Sequence, residues 1–212
     1  MIKLLFLLIP TLFLIACGDE KPVDTETTTK PPSEEVVTPS ESPISLSHFF
    51  MPDNSVAQFK GEGNEYATYS LTTLYPFENY VITYEDNGGT VVQRIFNVQE
   101  NKISLIAENG EAYEPTTHSL AELQAMQEIE VYLATPIEVG ATFNDWKITS
   151  TTETLETDLQ TFDHVIVIEK TNEDNSITRK YFAKNFGEIK REFFMQEGDE
   201  QYIVSSVIES ME

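Results

Sequence analysis

The chain of 212 residues carries 36 acidic side chains against 13 basic ones, a formal net charge of −23. So acidic a body repels polyanions, which excludes nucleic acid as a partner. One cysteine allows no internal disulfide, and His48, His118 and His164 are scattered with no pair in a zinc-ligand spacing.

The chain opens with Met1-Ile2-Lys3 and an apolar run from Leu4 to Ile15. Such a run is too short to cross a hydrocarbon core of about 30 Å, which takes roughly 20 helical residues. It therefore reads as the core of a signal peptide. It ends in Leu14-Ile15-Ala16-Cys17, which resembles the lipobox of bacterial lipoproteins. That resemblance implies a diacylglyceryl group (with acyl chains such as palmitate) on the Cys17 thiol and cleavage between Ala16 and Cys17. Residues 1–16 would leave as signal peptide, and Cys17 would become a lipidated N-terminus. Two acyl chains, at about 0.8 kcal/mol per buried methylene, give the stable anchoring that one chain does not. The expected partner at this end is the membrane, and the expected address is its extracytoplasmic face.

From Gly18 to Ile44 come five prolines, eight Ser or Thr and seven acids, with no aromatic residue. This composition cannot bury enough apolar surface to offset ordering entropy, so residues 17–44 are expected to form a disordered tether. As a flexible coil it would reach about 30 Å, and more with its prolines and like charges.

Residues 45–212 suffice for one domain with its own core. Val56–Lys60 and Glu65–Tyr75 read as strands either side of Gly61-Glu62-Gly63. Tyr80–Tyr84 and Thr90–Val98 flank Asp86-Asn87-Gly88-Gly89, the clearest hairpin signal in the chain. Ile103–Ile106 and Glu111–Tyr113 follow as short strands about Asn109-Gly110. Ser119 with Glu122 three residues on is a capping box, predicting a two-turn helix that buries Leu120 and Leu123. Glu130–Leu133 is a further short strand, and Gly140 suits a turn. Trp146–Leu155, His164–Glu169, Ser176–Lys184, Glu188–Gln196 and Gln201–Glu209 then read as strands in series. Val165-Ile166-Val167-Ile168 is apolar throughout and so belongs at the centre of the sheet. The predicted fold is mainly β (α+β): a curved antiparallel sheet or partial barrel of two meanders joined by one short helix.

The hairpin Tyr181-Phe-Ala-Lys-Asn-Phe-Gly-Glu-Ile-Lys-Arg-Glu192 resembles a YFAKGxGxVKRE signature of uncharacterised surface lipoproteins from Gram-positive, Bacillus-like bacteria. Thr161-Phe162, Phe49-Phe50-Met51-Pro52 and Gly61–Tyr66 are similar to other stretches of that family. Asn185 stands where the signature has its first glycine, and asparagine also tolerates left-handed backbone. The resemblance implies a membrane location and a β-rich fold and carries no activity. The architecture is also similar to curved-sheet lipoprotein carriers that hold an acyl chain.

No nucleophile elbow, phosphate loop or dinucleotide glycine pattern is present. The acidic turns Glu108–Glu111 and Asn172–Asn175 lack the alternating ligands of a calcium loop. No catalytic residue, metal or cofactor is therefore expected. The one asymmetry is basic: Arg179, Lys180, Lys184, Lys190 and Arg191 fall together, interleaved with Tyr181, Phe182, Phe193 and Phe194. They are either cross-strand partners of acidic strands or an anion-binding face for a wall polymer, a lipid headgroup or an acidic envelope protein. The chain is thus expected to be a non-enzymatic binding or scaffolding module of the envelope, with a carrier of hydrophobic ligands as the alternative. An apolar pocket of several hundred Å³ would favour the carrier, and a filled core the scaffold.

Overall fold

The computed structural model describes residues 45–198 and 200–212. The expected signal peptide, the expected lipidation and cleavage at Cys17 and the expected tether lie outside the described residues. In chain order the strands are β1 (Ser55–Glu62), β2 (Tyr69–Phe77), β3 (Tyr80–Asp86), β4 (Val91–Val98), β5 (Lys102–Asn109) and β6 (Glu130–Ala134). They continue as β7 (Thr142–Phe143), β8 (Trp146–Glu156), β9 (Thr161–Thr171), β10 (Ile177–Ala183), β11 (Gly187–Glu197) and β12 (Glu200–Met211). One helix, α1 (Leu120–Ala125), stands between β5 and β6.

All twelve strands form one antiparallel sheet in the order β6-β5-β4-β3-β2-β1-β12-β11-β10-β9-β8-β7. Each meander pairs only with its sequence neighbours, as tight turns dictate. The two meanders are joined by the first and last strands, where Ala57 lies opposite Met211 and Glu62 opposite Ser205. This corrects the expected helical junction: α1 sits inside the first meander. The sheet curls until its far ends meet, so that Trp146 Nε1 on β8 donates to Glu130 Oε1 on β6 at 2.8 Å. It is a nearly closed barrel.

The local signals act as their chemistry requires. Asp86 Oδ1 accepts Gly88 N, and Asn87 Oδ1 accepts Gly89 N and Thr90 N, which closes the β3–β4 turn around a left-handed Gly88. The capping box forms in both directions, with Ser119 accepting from Glu122 N and Glu122 from Ser119 N. The helix buries Leu123 against Tyr80, Ile82, Tyr84 and Ile95 on the outer side of β3 and β4. Leu120 stays 41% exposed, contrary to expectation, because so short a helix turns only one narrow stripe inward. Glu111–Tyr113 forms no strand: only Ala112 N reaches Val91 O, and Tyr113 is exposed. Gly61 and Glu62 belong to β1 rather than to a turn. Val165 through Ile168 are all buried, as the unbroken apolar run requires.

Inside the barrel, Phe50, Val81, Phe96, Ile103 and Leu133 pack together with Phe182 of the second meander. Tyr132 on β6 joins them, with ring centroids 6.0 Å from Phe50, 4.8 Å from Phe96 and 5.3 Å from Phe182, the last edge-on. The segment before β1 closes this end. The 3-10 turn Leu46–Phe49 buries Leu46 and Phe49, and Asn185 N of the β10–β11 turn donates to His48 O at 2.6 Å. Asn185 and Gly187 both adopt positive φ there (68° and 69°), as the asparagine-for-glycine exchange in the motif allows.

Candidate functional site

The five basic residues of the β10–β11 hairpin do not share a face. Side chains alternate along a strand, so Arg179 and Tyr181 point one way from β10 and Lys180 and Phe182 the other. On the outer side, Arg179 meets Glu169 at 2.7 Å and Glu192 at 3.6 Å. Lys190 meets Glu192 at 2.7 Å and lies 5.0 Å from the Tyr181 ring. The Arg179 pairs cross strands, as the sequence offered in one alternative, whereas Lys190 and Glu192 lie two residues apart on β11 itself. Lys184 is exposed in the β10–β11 turn.

Lys180 and Arg191 point into the barrel. They line a cavity of about 250 Å³ whose wall includes Glu85, Arg94, Tyr132 and Glu188. Glu188 is at the centre of the ionic part. Its Oε1 accepts Arg191 Nε at 2.7 Å; its Oε2 accepts the Tyr132 hydroxyl at 3.1 Å and lies 3.2 Å from Lys180 Nζ. Arg191 Nη2 reaches on to Glu85 Oε2 at 3.3 Å, an oxygen that also accepts Arg94 Nη1 at 2.8 Å. Arg94 Nε completes the chain on Glu108 Oε2 at 2.6 Å, at the rim. The Lys180 ammonium also faces two rings, Tyr132 at 4.7 Å and Trp146 at 5.3 Å.

The Glu188 side chain is 7% exposed and Lys180 17%, whereas Arg94 and Arg191 keep 23% and 32% of their side-chain surface exposed. Burial alone would raise the Glu188 pKa, but the Arg191 and Lys180 charges outweigh it and hold the carboxyl at about 2. Glu85 is likewise lowered, with Arg191 and Arg94 overcoming its desolvation. Burial lowers Lys180, with Glu188 opposing. Burial raises the Tyr132 phenol, and the Glu188 carboxylate adds to that. Glu188 and Glu85 are therefore carboxylates at neutral pH and Tyr132 a hydrogen-bond donor.

A β-bulge builds this arrangement. Phe182 pairs with Glu188 but Tyr181 with Lys190, so Ile189 is the extra residue on β11. In an unbroken strand, residues three apart point to opposite faces. With the bulge between them, Glu188 and Arg191 point the same way and pair. Phe50, Leu71, Phe96, Leu105 and Phe186 also line the cavity, with Phe96 two residues along β4 from Arg94. A second cavity of about 230 Å³ adjoins the first and shares Tyr69, Glu85 and Arg191 with it. Its outer wall is Tyr66, Phe193 and Val204. The Glu85–Arg191 pair thus lines both spaces.

From the sequence Lys180 and Arg191 were singled out, whereas Glu85, Arg94, Tyr132 and Glu188 were not. Glu85 and Arg94 are cross-strand neighbours on β3 and β4 and carry no motif. Only alternation marked Lys180 apart from Arg179, and the bulge then reversed that rule for Glu188. His118 Nε2 lies 3.1 Å from Thr116 Oγ1 in a loop, and His164 is exposed on β9 with a positive φ of 55°. Among the described residues no group of His, Cys, Asp and Glu could hold a metal ion, and no helix is long and apolar enough to cross a membrane.

No family model and no curated protein matches this chain. Solved structures do. One is a protein of Bacteroides fragilis described as exported and as having a YmcC-like fold. It is 13% identical, with 78% of this chain and 98% of that one covered and a TM-score of 0.49. Another, from Parabacteroides distasonis, is described as a lipoprotein. It is 14% identical, with 78% and 98% covered and a TM-score of 0.47.

Proposed function

We propose that this chain is a membrane-anchored extracytoplasmic lipoprotein whose β-domain is a non-enzymatic binding module that takes a small ligand into the barrel. It would belong to the Gram-positive surface lipoproteins whose hairpin it resembles. The lipobox ending at Cys17 supports the anchor. The observation that carries the binding role is the cavity between the two meanders, lined by both aromatic and charged side chains. A space left open between converging polar groups is the usual form of a small-molecule site. A module acting only as a scaffold has no need of it, because a filled interior is more stable. The purely hydrophobic cargo of a carrier fits less well, since it would strand Glu188, Lys180 and Arg191 against apolar surface.

Two measurements test this. Cys17→Ser should move the protein from the membrane fraction to the soluble fraction, and mass spectrometry of the parent should find a diacylglyceryl adduct on Cys17. Trp146, the only tryptophan, stands 5.3 Å from Lys180 and reports on the cavity. Its fluorescence in the Cys17→Ser chain should respond to at least one of decanol, decanoate and decyltrimethylammonium. Silence towards all three, below their micelle concentrations, would overturn the binding role.

A further inference from the structure

β11 pairs with β10 only as far as Phe194 opposite Ile177, and β12 with β1 only as far as Ser205 opposite Glu62. Beyond these positions β11 and β12 pair with each other alone, from Met195 opposite Tyr202 to Glu197 opposite Glu200. The sheet therefore ends in a two-stranded ribbon. Such a ribbon is marginal in water by itself, and large apolar side chains on it add nothing to the core of the barrel.

One face of this ribbon carries them all the same. Residues opposite each other share a face, as do residues two apart, so Phe193 and Met195 form one strip with Val204 and Tyr202. Tyr66, from the 3-10 turn Glu65–Ala67, borders the strip, since it lines the second cavity together with Phe193 and Val204. Met195 is 39% exposed, Tyr202 45% and Tyr66 55%. Exposed apolar side chains that adjoin one another inside a polar rim mark interaction surfaces, and Tyr, Phe and Met are the residues enriched at their centres. The chain's own entry into the fold leaves this strip clear. Leu46–Phe49 lie against the β10–β11 turn, where β11 begins, and the ribbon is the other end of that strand, roughly 30 Å away.

The rim carries charge of one sign. Glu200 closes the strip, its Oε2 accepting the Tyr202 hydroxyl at 2.7 Å. Glu65 is exposed beside Tyr66, and Glu173 and Asp174 are exposed in the turn that leads into β10. Neither residues 63–68, nor 172–176, nor 192–212 contain a lysine or arginine. The next cations along the strands, Arg179 and Arg191, are each held by two carboxylates. This combination selects among occupants. Anionic lipid and a second copy of a chain with net charge −23 are both repelled. A cationic polypeptide is drawn in, because its lysines and arginines can pair with the rim carboxylates and lie over the tyrosine rings.

We infer that the β11–β12 ribbon is a docking face for a polypeptide partner, through a segment in which lysine or arginine flanks aromatic or aliphatic residues. The apolar side chains of that segment cover Met195, Tyr202 and Tyr66, and its cations meet Glu65, Glu173 and Glu200. This face is separate from the barrel cavity, and its occupation does not depend on a ligand there.

The test pans a random twelve-residue peptide library, displayed on phage, against the Cys17→Ser full chain. The enriched peptides should combine net positive charge with aromatic or aliphatic residues. One of them, synthesised with a fluorescein label and titrated by anisotropy, should bind more weakly as salt rises. Its affinity should fall about tenfold or more in Met195→Ser/Tyr202→Ser, the size of loss that anchor residues give. Val139→Ser, which changes an equally exposed apolar residue between β6 and β7, should leave it unchanged. Tyr66→Ser, on a separate element, gives the same reading as the double variant where that variant fails to fold. No enrichment, enrichment of neutral or acidic peptides, salt-independent binding, or equal binding to the ribbon variants would overturn the assignment. A loss in Val139→Ser as large as in the ribbon variants would overturn it too, by showing that the charge of the whole chain holds the peptide. A dimer in light scattering that the double variant loses would give the face to a second copy instead.

Discussion

Glu188→Gln isolates what the buried ionic chain does for the fold. The substitution keeps the side chain's size and removes its charge. Lys180 then faces two aromatic rings and no carboxylate, and Arg191 must share Glu85 Oε2 with Arg94. A carboxyl held at about 2 instead of 4.5 corresponds to about 3 kcal/mol in favour of the folded state. Breaking a buried pair by deleting one partner costs about 3–5 kcal/mol in general, so the two routes agree. Urea unfolding followed by Trp146 fluorescence measures it. With a slope of about 2 kcal/mol per molar, the midpoint should fall by roughly 1–2 M with the slope unchanged. Adding Lys180→Met removes the stranded ammonium and should recover about 1 kcal/mol or more, a coupling that independent sites would not show. A midpoint within about 0.3 M of wild type for Glu188→Gln would mean that water reaches these charges freely, and the account of the buried chain would fail.

Two further outcomes follow from the same geometry. Glu188 and Glu85 have folded pKa values below their unfolded ones, because nearby cations outweigh the burial that would raise them. The stabilisation from Glu188 is therefore complete above about pH 4.5 and is lost as pH falls towards 2, and that from Glu85 is lost in the same direction, on the acid side of its ordinary value. Protonation of the acidic surface relieves self-repulsion over the same range and opposes the loss. The clean readout is therefore the difference between wild type and Glu188→Gln, whose melting temperatures should converge as pH drops from 4.5 to 2; a constant gap would refute the assignment. Gly187→Ala should destabilise more than Gly88→Ala in urea. Both positions are left-handed, at φ of 69° and 78°, but a Cβ on Gly187 would stand 2.7 Å from Phe49 O whereas one on Gly88 meets nothing within 4 Å. Equal costs would show that the Phe49–Phe50 backbone yields freely.

Local chemistry alone made much of this protein legible. The Asp86–Gly89 turn, the capping box at Ser119 and the unbroken run Val165–Ile168 each act within a few residues. Their consequences can be read without knowing what lies across the sheet. The same reading placed every strand but β7 and added one at Glu111–Tyr113 that does not form, and it gave the antiparallel pairing because short turns leave neighbours no other partner. It also gathered the cations of β10 and β11, but it could not divide them.

That division belongs to the tertiary structure. The bulge at Ile189 reverses the alternation on which any face assignment depends, and it turns Glu188 and Arg191 the same way. Closure of the sheet then brings Arg191 to Glu85, 106 residues earlier in the chain, and Tyr132 to Glu188, 56 residues later. Neither partner is marked by spacing, since a pair that far apart is created by the curvature of the whole sheet. Sequence fixes a residue's own conformational preference within a turn or so, whereas what it finally faces is set by where all twelve strands together bring the opposite wall.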